Sequence, residues 1–106
     1  RSDSQPRSQM SYLFHPAAEA EFEDGVDYYD ESEQGLGDEF DIEVAATIGR
    51  IVSHPDAWPR YSYRTRRCIC NRFPYSIIYR HVENRVVIYA VMHQKRRPGY
   101  WKDRLA

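Results

Sequence analysis

The sequence predicts an α+β domain, a helical hairpin packed on an antiparallel sheet in the order β-α-α-β-β-β, with room for a fourth main strand. Three observations predict it. Apolar residues recur at helical spacing through the first half of the chain and change to a strand pattern after Trp58. The two helical segments are separated by only a few residues, as in an αα-hairpin. The strands then follow one another as a meander, and helices grouped before strands favour α+β over an alternating α/β fold. The length of 106 residues corresponds to one domain, large enough to bury a core without disulfides or a metal.

Residues 1–9 (RSDSQPRSQ) are polar and aperiodic and are expected to be a disordered tag or tail; the domain is assigned to residues 10–106, with Met10 as its start. Residues 11–15 read as a short strand, since Tyr12, Leu13 and Phe14 favour extended backbone. Pro16 suits the first position of a helix over residues 16–31, with Ala18, Phe22, Val26 and Tyr29 on its inner face. Gly25 interrupts that helix at a cost in propensity. After a break at residues 32–35, a second helix runs over residues 36–53 with Phe40, Val44, Ile48 and Ile51 or Val52 inward. His54-Pro55 ends it, because a residue before proline avoids the α region. Residues 61–65 read as a strand, residues 66–72 as its continuation or a second strand, and residues 74–82 as another. Glu83-Asn84 is a turn, and residues 85–93 form a strand apolar enough to be central and buried on both faces. One sheet face is left partly open. A basic, aromatic tail, QKRRPGYWKDRLA, closes the domain.

The net charge of −1 conceals an asymmetry. Residues 1–58 hold 14 acidic and 3 basic residues, a net of −11; residues 59–106 hold 2 acidic and 12 basic, a net of +10. Such a split suggests that the second half faces an anion or an acidic partner, beyond the neutralisation of one half by the other. No apolar run reaches the roughly 18 residues of a membrane span, and no signal-peptide pattern is present, so the expected setting is the cytoplasm, with no membrane partner. The two cysteines, Cys68 and Cys70, would point the same way from a strand, about 7 Å apart, which suits neither a disulfide nor a metal site. No cofactor and no metal are expected.

On these segments the chain resembles the RelE/ParE superfamily of toxins. The pieces that carry the resemblance are FHPAAEAEFEDGVDYYDE, GLGDEFDIEV, HPDAWP, RRCICNRFPYSIIYRH and VVIYAVMHQKRRPGYWKDR. The FPY step into IIY, and VVIYAV followed by a histidine, basic residues and PGYW, are most similar to the ParE-like, plasmid-stabilization branch. The resemblance implies the toxin of a type II toxin–antitoxin module, neutralised by a cognate antitoxin whose C-terminal segment folds across it in a hetero-oligomer. It also implies one of two targets. ParE-like members bind DNA gyrase without known catalysis, and RelE-like members cut messenger RNA on the ribosome. The ParE-like mode is favoured; the alternatives are a ribosome-dependent endoribonuclease and an inactive, decayed toxin that only binds.

Metal-free RNA cleavage needs a base, an acid and cations for the developing phosphorane charge. If the chain is an endoribonuclease, His93, Arg67 and Arg96 are its catalytic candidates, His93 because histidine is the residue type suited to acid–base work near neutral pH. The bland reading of His93 is a histidine packed at a strand end and bonded to backbone. Arg66, Arg67, Lys95, Arg96, Arg97, Tyr100 and Trp101 are the candidates for contact with a target or antitoxin, since arginine suits both phosphate and carboxylate. Adjacent strand residues face opposite sides, so only one of Arg66 and Arg67 can enter a given groove. Tyr100 and Trp101 are expected first to pin the tail to the core. His15, His54 and His81 are expected to be structural.

Overall fold

The computed structural model describes residues 11–105. The expected tail at residues 1–9 lies outside them. The order is β1 (Ser11–Phe14), α1 (Pro16–Ser32), α2 (Leu36–Ser53), β2 (Arg66–Ile69), β3 (Tyr75–Val82) and β4 (Arg85–His93), with short 3-10 turns at Ser62–Arg64 and Lys102–Leu105. Pro16 starts α1 at a position where its missing N–H costs nothing, and the His15 ring caps the helix by accepting from the Ala17 N–H at 3.1 Å. His15 is thus structural, as expected. The predicted inner faces hold: Phe22, Val26 and Tyr29 of α1 and Phe40, Val44, Ile48 and Ile51 of α2 all join one core with the sheet.

The sheet runs β1-β4-β3-β2, which places β4 in the interior as its apolar run required. The β3–β4 hairpin turns at Glu83 (φ 51°) and Asn84 (φ 64°), both left-handed as a tight hairpin demands. The last three strands are antiparallel, but β1 joins β4 in parallel, Tyr12 beside Val86 and Phe14 beside Ile88, so the sheet is mixed. No hairpin links β1 to β4. The intervening helices return the chain, so the strand sense is free to be parallel where β4 offers its remaining edge.

Two further expectations need correction. Residues 61–65 are not a strand. They form a tight loop with Tyr63 (φ 61°) and Arg64 (φ 64°) left-handed, closed by the Tyr61 N–H donating to the Thr65 carbonyl at 2.7 Å. The aromatic residues that suggested extended backbone instead serve packing. The outer sheet face is also less open than expected. Trp101, fully buried, lies against Ile78, Ala90 and Met92, and Tyr61 and Tyr63 approach it at 6.0 and 5.6 Å between ring centroids. The aromatic pair thus pins the tail.

Cys68 and Cys70 are free thiols on the helix-facing side, both buried, and burial raises the pKa of each. Both thiols are expected to resist a soluble disulfide reagent at pH 8 until denaturant is added, since the thiolate is disfavoured and shielded. Rapid labelling of the native protein would contradict this packing.

The α1–α2 contact depends on glycine. A Cβ on Gly37 would sit 2.6 Å from the Val26 carbonyl oxygen and 2.5 Å from the Asp30 carboxyl, and one on Gly25 would meet the Phe40 ring at 2.7 Å. Gly49 of α2 has open space around it. Gly37→Ala is therefore expected to destabilise by about 1–3 kcal/mol through overpacking. Gly49→Ala should stabilise by up to about 1 kcal/mol through helix propensity. Urea denaturation of the two variants checks both signs.

Candidate functional site

The sequence candidates fall at two places on the sheet. His93 ends β4 opposite Tyr75, and strand alternation puts both toward the helices, where their rings meet edge-to-face at 5.0 Å between centroids. Its Nδ1 accepts the Lys95 N–H at 3.0 Å, and its carbonyl accepts from the Arg96 N–H at 3.0 Å. The ring is half-buried and engaged with backbone.

Arg66 and Arg67 part as alternation required. Arg67 pairs with Ile78, whose side chain belongs to the outer cluster, and its guanidinium lies 4.6 Å from the Tyr61 ring centroid. Arg66 donates to the Trp58 carbonyl at 2.7 Å and lies 3.9 Å from Asp56. His81 also contacts Asp56, at 2.9 Å, and this hydrogen bond is the main cause of the lowered pKa of that carboxyl.

Lys95, Arg96 and Arg97 are exposed in the turn after β4. Gly99 (φ 87°) reverses the chain there, and a Cβ on it would meet the Tyr63 ring at 3.2 Å. Arg96 lies over the Tyr100 ring at 3.8 Å, and Arg104 approaches the same ring at 5.1 Å. Burial pushes the Tyr100 phenol well up, and the charge of Glu21 adds to it.

Of the three catalytic candidates, Arg67 is separated from the other two. Arg67 sits on the outer face of an edge strand and His93 on the inner face of an interior one. By strand geometry they are separated by about 10 Å along the sheet and about 10 Å across it. Arg96 is stacked on Tyr100. Among the described residues no group of three His, Cys, Asp or Glu side chains could hold a metal ion.

Sequence reasoning missed the contact that fixes the tail. Arg104 donates to both carboxylate oxygens of Glu21 at 2.9 and 3.0 Å and to the Tyr89 carbonyl at 2.9 Å, and the Val91 N–H donates to the same carboxylate at 3.0 Å. Both side chains are largely buried, at 16% and 17% exposed. The partners lie 83 residues apart, so no spacing rule could pair them.

The model of a family described as the ParE toxin of the type II toxin-antitoxin system, parDE, matches residues 12–98. No curated protein matches the sequence. Among solved structures, the fold is similar to that of the chromosomal ParDE TA system from P. aeruginosa. The TM-score is 0.72 at 16% identity, over 81% of this chain and 97% of that chain.

Arg104→Met should leave the Glu21 carboxylate buried without its cation and cost roughly 2–4 kcal/mol. The red shift of Trp101 emission should also begin at lower denaturant, because the tail detaches early. A denaturation midpoint equal to that of the unsubstituted chain would contradict this anchoring.

Proposed function

The chain belongs to the ParE toxin family of type II toxin–antitoxin systems, and from that premise we propose that it arrests growth by binding DNA gyrase, without catalysing a reaction. The observation that carries the reading is the separation of Arg67 from His93 on opposite faces of the sheet. A transesterification needs its base and its phosphorane-stabilising cation within hydrogen-bond reach of one phosphate. His93 and Arg67 lie on opposite faces of the sheet, and His93 spends Nδ1 on backbone. What the chain end offers instead is a rigid basic display. Lys95, Arg96 and Arg97 project from a turn held between β4 and a tail fixed by Trp101 and Arg104. Such a platform suits contact with an acidic protein or phosphate surface, because its side chains are held in place before binding.

A cognate antitoxin is proposed to bind elsewhere. The outer edge of β1 has no strand neighbour among the described residues, and Tyr12 and Leu13 are about half exposed there. Beside it a largely apolar groove is lined by Phe14, Phe22, Val44, Ala45 and Ile48, with Tyr12 and Asp41. An unpaired edge next to an apolar groove supports strand addition followed by a helix laid into the groove. Among the described residues no helix is long and apolar enough to cross a membrane. A cytoplasmic setting, where both proposed partners reside, is part of the proposal.

Purified chain should inhibit ATP-dependent supercoiling by gyrase, and its antitoxin should relieve the inhibition. Absence of inhibition by a chain that still arrests growth would shift the reading to messenger RNA cleavage on the ribosome. Joint replacement of Arg96 and Arg97 by Glu should weaken inhibition at least tenfold with the melting temperature nearly unchanged, while His93→Ala retains it. Loss of activity in His93→Ala alone would argue for chemistry. The antitoxin should raise the melting temperature of the chain, since a ligand of the native state adds to its stability.

A further inference from the structure

A second basic site lies at the opposite end of the β3–β4 hairpin from the Lys95–Arg97 turn. Here β3 extends past the start of β2, because Arg66 pairs with Tyr79 and nothing on β2 pairs beyond it. The loop of residues 61–65 folds back over the gap and leaves a recess of about 490 Å³. Arg60, Arg64, Arg66 and Arg80 line it, with Asp56 and His81.

The charges in this recess are unbalanced. Among the described residues Asp56 is the one acid of its lining, set against four guanidinium groups, and it is already engaged by His81 at 2.9 Å and Arg66 at 3.9 Å, with the charge of Arg60 also acting on it. Arg60 and Arg64 make no hydrogen bond or ion pair with the described residues through their side chains. Arg80 donates Nη2 to the Tyr63 carbonyl at 2.9 Å, which leaves its Nη1 without an acceptor among the described residues. The loop that carries Arg64 holds two consecutive non-glycine residues, Tyr63 and Arg64, in the left-handed region, and such positions collect at ligand clamps.

We propose that this recess binds a small phosphorylated ligand of nucleotide size, its phosphoryl oxygens taken by Arg60, Arg64 and Arg80. The excess of three positive charges calls for a dianion or a diphosphate rather than one carboxylate. Guanidinium forks match phosphoryl oxygens two at a time. The volume falls within the range of about 300–1,000 Å³ typical of small-molecule sites. A nucleic-acid strand is the weaker fit. The basic turn after β4 lies roughly 20 Å away along the strand, and Trp101, Tyr61 and Arg67 fill the outer face between the two. This inference does not depend on the gyrase reading, and its test has no growth or supercoiling readout.

The test is calorimetric titration of the whole chain with pyrophosphate and with ADP at fixed ionic strength, paired with melting temperature. Saturable one-to-one binding and a raised melting temperature are expected for both. The double variant Arg60→Ala/Arg64→Ala, which removes two exposed side chains without a described partner, should fold normally and bind at least tenfold more weakly. Arg97→Ala should bind as the unsubstituted chain does. A chain that binds a single-stranded oligonucleotide but neither small ligand would overturn the proposal, as would an acidic peptide that binds as tightly as pyrophosphate. Undiminished binding by the double variant, or no saturable binding of either ligand, would overturn it as well.

Discussion

Glu21 receives hydrogen bonds from two directions at once. The Arg104 fork reaches it from the C-terminal turn, and the Val91 N–H reaches it from the sheet. Its position follows from where β1 stops. The last ladder bond on that edge of β4 is the His15 N–H donating to the Ile88 carbonyl, and Pro16 then turns the chain into α1 with no N–H to offer. Beyond Ile88 the edge of β4 would carry bare backbone groups. Glu21 satisfies Val91 and Arg104 satisfies Tyr89, so a side-chain pair continues the work of a strand that ended early. Taking two charges out of water offsets most of their attraction, so the net stabilisation is modest. The geometric consequence is larger: first helix, interior strand and C-terminus are tied at one point.

The outer face of the sheet depends on that point. Once Arg104 is fixed, Trp101 is carried over Ile78, Ala90 and Met92, and Tyr100 is held between Arg96 and Arg104. The segment between His93 and Tyr100 becomes a short bridge between two anchored ends. Its cations are displayed on a frame rather than on a loose tail, which lowers the ordering cost of any contact they make. The same anchoring positions Tyr61 and Tyr63 against Trp101, and through them the loop over the arginine-lined recess.

Much of this was legible in the sequence, for physical reasons that differ by element. Both helices carry a strong 3.6-residue pattern with proline punctuation, and their bounds follow from it. The interior place of β4 follows from its unbroken apolar run. Opposed Arg66 and Arg67, and paired Cys68 and Cys70, follow from two-residue alternation alone. The rest is set by contacts distant in sequence. The parallel sense of β1 depends on which edge of β4 remained open, and no local pattern encodes that. Tyr61 and Tyr63 have the composition of a strand, but Trp101 recruits them into a loop. Arg60, Arg64 and Arg80 are scattered along the chain and meet only because β3 outruns β2. The pairing of Glu21 with Arg104 had no sequence signal beyond two charges of opposite sign.

The charge asymmetry survives folding, and the ion pairs explain why. Among the described residues, Arg66, Arg72 and Arg104 reach acids of the first half. Glu23, Asp24, Asp27 and Asp30 of α1 are exposed beside its apolar inner stripe, Asp30 accepting from the Gly37 N–H and Asp24 lining a groove with Arg96. The basic recess sits at one end of the sheet, and the basic turn at the other, where Arg96 shares a groove with Glu21 and Asp24 of α1. The domain extends 39 × 37 × 23 Å, whereas charges are screened over about 8 Å at physiological salt. Fields from the two sides therefore fail to cancel at each other's surface, although the net charge is only −1. An approaching acidic surface meets attraction at the sheet side and repulsion at the helix side, so the apportioning of charge along the sequence becomes an orientation for encounter. The helical hairpin thus works as more than a lid on the core: it carries negative charge that would turn the domain's cationic recess toward any approaching acidic surface.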